Sequence, residues 1–391
     1  MPHPRTMVTE LGTGLGMLGL DRIEDALASR PAVMRSLSPE DWDRLSALRA
    51  GGAFDAEFHA AWQNGRAFLA ARDGLRERRP EVVEWKGAVR APGDEVAPVD
   101  LRVDHVYLVS CKYLSNILFN VGPGHLFDDL LFGGQSRRGR SEGNDWFAEV
   151  APDRYQELYA VVRRSVRESG GETATTSGAG RGASSVSQSL PGLGRAAGAG
   201  TAGTEMDVTE VAAPALGQLP DRAIELTSSH REALSRYLRS GWPADAKAAY
   251  VALSAEVAQA SVTRWRAALG GGGGGRGGTG EAMLWRLLRM GSTPYFVLGS
   301  SANRTLRLRI ATPWDWRQVY ALVRLEIFAQ AGGQPRVGWA AEVRQRASGQ
   351  VQQVAGHIEV RWSHGRFSGP PEAKGYVDTP HHLVPGYFPL Q

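Results

Sequence analysis

Asp100, Ser110 and Lys112 stand in the stretch PVDLRVDHVYLVSCKY, where an acid, a hydroxyl and an amine fall on two extended runs. An aspartate beside a lysine on neighbouring strands suits phosphodiester hydrolysis. Carboxylates hold Mg²⁺ or Mn²⁺ against a phosphate, and the lysine orients the attacking water and offsets the charge that develops. Side chains two apart on a strand share a face, so Ser110 and Lys112 point one way and Cys111 the other. Asp100 and Lys112 differ by an even number, 112 − 100 = 12. A hairpin loop with an odd number of residues therefore places both on one face, and a two-residue turn separates them. The plainer reading of the same pair is a cross-strand ion pair on a solvated sheet.

The elements that must hold these residues follow from the pattern. VYLVSCKY, from Val106 to Tyr113, is β-branched and aromatic and reads as a central strand. VDLRV after Pro98 reads as its hairpin partner, with Asp104 and His105 in a charged turn. Ahead of the hairpin, residues 54–79 carry Phe58, Trp62, Phe68 and Leu69 at helical spacing. Glu57 and His59 on that helix read as part of its solvated face. Ser38-Pro39-Glu40-Asp41 caps a further helix that ends near Gly51 and Gly52. Residues 114–131 and 146–166 read as helices, and the first thirty or so residues show no clear period.

On these residues the chain resembles the PD-(D/E)XK superfamily of restriction and repair nucleases. The pattern P-V-D100, nine residues, then S110-x-K112 sits in helix–strand–hairpin–helix order over the residues up to about 165. The resemblance implies an α/β nuclease domain with a central mixed sheet. It also implies that Asp100 and the acid of the (D/E)xK element bind the metal while Lys112 serves the water. Ser110 stands where that acid should be, and a hydroxyl is a poor Mg²⁺ ligand. A second acid is therefore expected from Glu84, on the strand VVEWK, with Asp104 behind it. The catalytic set so implied is Asp100, Lys112, Glu84 and Ser110, and the metal set is Asp100, Glu84 and Asp104. Literal ExK matches at Glu84-Trp85-Lys86 and Glu372-Ala373-Lys374 lack the hairpin context.

At 391 residues, 42% hydrophobic and 22% charged, the chain has room for two globular domains. The expected fold class is α+β: residues 1–168 nuclease-like, 169–218 a disordered Gly/Ala/Ser linker, 219–269 helical, 270–280 a glycine-rich tether and 281–391 an antiparallel β-rich domain. The glycine run lacks the G-K-[ST] ending of a phosphate-binding loop. A net charge of +4 is compatible with nucleic acid. Candidate phosphate contacts are Arg137, Arg138 and Arg140 in one loop, and Arg307 and Arg309 on one face of the strand RTLRLRI. The C-terminal stretch is dense in His, Arg and aromatics, which suits stacking on bases. His357, His364, His381 and His382 lack zinc-ligand spacing. The single cysteine excludes an intramolecular disulfide and points to a reducing, cytoplasmic setting. The start has no secretory pattern, and no run of eighteen apolar residues predicts a membrane span.

Two functions fit this reading. One is a DNA endonuclease of restriction or anti-phage defence type, whose β-rich part selects the target. The other is a catalytically inactive nuclease-fold protein that binds nucleic acid or scaffolds a defence complex. A chance likeness in a ligand-binding regulator remains open.

Overall fold

The computed structural model describes residues 3–87, 99–114, 117–128, 145–175, 216–269, 278–301, 304–330 and 332–391. Four helices lead: α1 (Pro4–Gly16), α2 (Ile23–Ser29), α3 (Pro39–Ala50) and α4 (Asp55–Ala70). At the start of α3 Ser38 and Asp41 exchange side-chain-to-backbone hydrogen bonds, the expected capping box. Every residue of α1 from Met7 to Gly16 is buried. A helix covered all round shows no amphipathic stripe, which is why its sequence lacks a period. Glycines on both helices let it lie against α4: a Cβ on Gly16 would sit 2.4 Å from the Trp62 carbonyl oxygen, and one on Gly65 of α4 2.1 Å from that of Thr13.

The fold is α+β and rests on two sheets. The first orders β1 (Met34–Arg35), β2 (Val83–Trp85), β3 (Leu101–Val103), β4 (Tyr107–Lys112), β6 (Tyr295–Ser301), β7 (Arg304–Ile310) and β12 (Tyr387–Pro389). It is mixed, with β1–β2 and β4–β6 parallel. The second is antiparallel throughout and orders β5 (Ile117–Val121), β11 (Glu372–Val377), β10 (Val351–Arg361), β9 (Arg336–Gln345) and β8 (Tyr320–Gln330). Two cores flank the first sheet. Phe296 and Leu298 face α1 and α4, whereas Tyr295 and Val297 face the core shared with the second sheet and the later helices. Strand β6 is apolar on both faces because it lies between two layers.

Three expectations change. Residues 295–310 and 387–389 do not belong to a separate C-terminal β domain: β6 pairs with β4, so the first sheet crosses the expected division. The second sheet crosses it too, since β5 pairs with β11. Residues 117–121 form that strand rather than helix, and among the described residues of the expected 114–131 helix α5 (Pro123–Asp128) is the helical part. After α6 (Trp146–Val150), α7 (Pro152–Thr175) runs beyond residue 168 into the expected linker. The rest of that linker, 176–215, and the glycine run lie outside the described residues. Helices α8 (Ser228–Tyr237), α9 (Ala244–Ala268), α10 (Gly278–Leu287) and α11 (Pro313–Val319) complete the chain, with α9 against β8 and β9. Among the described residues no helix is long and apolar enough to cross a membrane.

Candidate functional site

The hairpin turns through Asp104, His105 and Val106, since Val103 pairs with Tyr107. Three residues is an odd loop, and Asp104 and His105 accommodate it with positive φ of 49° and 60°. The register, Leu101 opposite Val109, sets Ser110 across from Asp100. Strand alternation breaks there, because Val99 joins one core and Leu101 the other. The Asp100 carboxylate folds over the end of the hairpin. Its Oδ2 accepts from Ser110 Oγ at 3.2 Å and from the Cys111 backbone amide at 2.6 Å. Ser110 is wholly buried. On the other side of β4, Lys112 pairs with Gly299, whose φ is 154° and whose Cβ would lie 1.9 Å from the Lys112 carbonyl oxygen. Only glycine allows β6 to come that close to the lysine's backbone.

A residue that sequence reasoning missed completes the cluster. Helix α1 packs over β2 and β4, and its Glu10, 5% exposed, accepts from Trp85 Nε1 at 2.6 Å. Burial first and the Asp100 charge second push its pKa up to about 8, against a smaller pull from Trp85 and Lys112. The Cys111 thiol, beside Thr13, is raised well above its ordinary value by burial, then by Asp100 and Glu10. Glu10, Asp100 and Lys112 thus lie within electrostatic reach of one another around Cys111. His381 also approaches: burial and then Lys112 lower its pKa. The sequence did carry one signal for Glu10, which is the sole charged residue in MVTELGTGLG.

The other expected acids are placed elsewhere. Val83 and Trp85 on either side of Glu84 are buried toward α1, so Glu84 points to the opposite face from Glu10. There it pairs with Lys86 Nζ at 3.0 Å. Asp104 is occupied by its own turn: it accepts from the Glu81 and Val82 amides at 2.8 and 3.1 Å and from Arg78 Nη2 at 2.6 Å. Burial alone would raise its pKa, but the Val82 amide, Arg78 and the Glu81 amide outweigh it and the net direction is down. Glu84 and Asp104 line an outer groove with Arg35 and His105.

Arg307 and Arg309 do share a face, but that face meets α4 and the loop after it. Arg307 donates to Asn64 Oδ1 at 3.2 Å, and Arg309 lies 4.0 Å from Asp73 and over the Phe388 ring. They tie strand to helix rather than forming an open basic surface. Arg137, Arg138 and Arg140 lie outside the described residues.

Among the described residues no group of three or more His, Cys, Asp and Glu side chains is arranged to hold a metal ion. A cage built wholly of protein is not what Mg²⁺ requires. It keeps several waters and takes one or two carboxylates together with substrate phosphate oxygens. Buried Glu10 and half-buried Asp100 fit that donor set, and a bound cation would favour the charged form of Glu10 that burial and Asp100 disfavour. Comparison with known protein families, with curated proteins and with solved structures gives no match for this chain.

Proposed function

We propose that the protein is a divalent-metal-dependent endonuclease that hydrolyses DNA phosphodiester bonds, in the manner of restriction or anti-phage enzymes, with Glu10 in the role first given to Glu84. The observation that carries this reading is electrostatic: beyond burial, the Asp100 charge raises the Glu10 pKa and Lys112 lowers it, while Ser110 and the Cys111 amide hold Asp100 at the end of the β3–β4 hairpin. Bound Mg²⁺ or Mn²⁺ would supply Lewis acidity toward the phosphate and a more acidic water. Ser110 and the Cys111 amide hold the Asp100 carboxylate in one orientation, so it is ready to bind. Glu10 and Asp100 would hold the cation as carboxylates. Lys112 offsets negative charge on the phosphate oxygens and orients the water. Cleavage of supercoiled plasmid with Mg²⁺ or Mn²⁺ tests the proposal: wild type nicks or linearises the DNA, and Lys112→Ala, folded but inert, does not. Equal cleavage by the two would reject it.

One observation favours a second reading, a nuclease-fold protein that binds DNA or a partner of a defence complex without cutting. Ser110 fills the acid's place and is sealed against Asp100. On that reading the plasmid stays intact with either metal while DNA binding persists.

A further inference from the structure

Away from the hairpin, the turn after α8, the start of α9 and the loop after β10 enclose a cavity of about 600 Å³. Aromatic rings form its wall. Trp242 stacks on Tyr250, with centroids 4.8 Å apart and planes at 27°, and Tyr250 on Trp362 at 6.3 Å and 23°. The rim is cationic. Arg239 and Lys247 are exposed beside Arg361 and Arg366. Arg366 lies over Trp242 at 4.9 Å and donates to the Leu238 carbonyl. Arg361 Nη1 is 3.5 Å from Glu359.

An aromatic wall selects a planar ring, and a cationic rim selects an anion attached to it. A cation would be repelled by that rim, and a plain hydrocarbon would gain nothing from it.

We propose that this cavity binds a nucleotide. The base lies against the aromatic wall of Trp242, Tyr250 and Trp362, and its phosphate meets Lys247, Arg239 and Arg361. The nucleotide is either free or one unit of a single strand. The proposal does not rest on the nuclease reading, because none of these residues belongs to the Glu10, Asp100 and Lys112 cluster.

The test is calorimetric titration of the full chain in EDTA with each 5′-deoxynucleoside monophosphate and with a short single-stranded oligonucleotide. Deoxynucleosides and inorganic phosphate serve as controls. A monophosphate or the oligonucleotide should bind at least about tenfold more tightly than nucleoside or phosphate alone, since stacking and phosphate contacts both contribute. The double variant Arg239→Glu/Lys247→Glu, altered only at exposed positions, should weaken binding about tenfold or more, and Trp242→Ala should abolish it. Comparable affinity for monophosphate and oligonucleotide identifies a free nucleotide, and binding of the oligonucleotide alone identifies a strand. Lys112→Ala should bind as wild type does, so absence of cleavage leaves the result readable. Lack of binding by all nucleotides at millimolar concentration, or binding that the Arg239→Glu/Lys247→Glu variant does not weaken, overturns the proposal.

Discussion

Glu10→Gln removes one ionisable group from beneath α1 while keeping its size and an acceptor for Trp85 Nε1. In the metal-free protein the Glu10 pKa stands at about 8, against an ordinary 4.5, with burial the larger cause and Asp100 the next. A raised acid favours the folded state only while protonated. Its contribution is therefore complete below about 4.5, is lost as pH rises and is exhausted above about 8. Each tenfold change in proton affinity is worth about 1.4 kcal/mol, so the interval 8 − 4.5 sets a ceiling of roughly 5 kcal/mol. With about 2.1 cal/mol/K of unfolding entropy per residue, that ceiling is a Tm difference of roughly 6 °C for this chain. Thermal unfolding in EDTA at pH 5, 7 and 9 gives the comparison. Wild type and Glu10→Gln should nearly coincide at pH 5, and the variant should melt higher at pH 9. Added Mn²⁺ should then raise the Tm of wild type and leave the variant unmoved. Parallel pH curves, or equal stabilisation by Mn²⁺, would refute the argument for Glu10.

Other elements give their own outcomes. Gly299→Ala places a methyl group against the Lys112 carbonyl at a φ of 154°, and should cost roughly 2–4 kcal/mol in denaturant melts by prising β6 from β4. The pKa of His357 is raised to about 9, first by its hydrogen bond to Asp378 and then by Glu359. The stability it adds is full below about 6.5 and lost as pH rises through about 9, so His357→Gln should cost about 2 kcal/mol at pH 6 and far less at pH 10. Arg264 grips Asp128 with two hydrogen bonds of 2.6 and 2.8 Å and reaches Glu149 at 2.8 Å. Lysine cannot make that fork, and Arg264→Lys should cost about 1–2 kcal/mol in the same melts.

How much of this was legible depended on whether the deciding contact was local. The Ser38–Asp41 box marked α3, because a cap is written in four adjacent residues. The antiparallel β-rich character of the residues after 281 is seen in β8, β9 and β10, whereas the parity of Asp100 and Lys112 left the hairpin loop open between odd and two-residue. The β4–β6 pairing could not be read, since a parallel neighbour more than 180 residues away leaves no local trace. Helix α1 was hidden by its own burial, and Glu10 with it. Glu84 could have been placed from its neighbours: Val83 and Trp85 face inward, so the acid between them faces out. Asp104 resembled a ligand in composition, but its positive φ and the Glu81 and Val82 amides make it a turn residue.

Cleavage of supercoiled plasmid in Mn²⁺ by wild type, Glu10→Gln and Glu84→Gln, assayed side by side, tests the central claim most directly. Both substitutions remove one carboxylate at nearly constant size, but Glu10 lies beside Asp100 whereas Glu84 pairs with Lys86 on the opposite face. Wild type and Glu84→Gln should cleave at rates within about twofold, since a half-exposed ion pair contributes little, and Glu10→Gln should leave the plasmid supercoiled. Full activity in Glu10→Gln, or loss confined to Glu84→Gln, would contradict the site described for Glu10, Asp100 and Lys112.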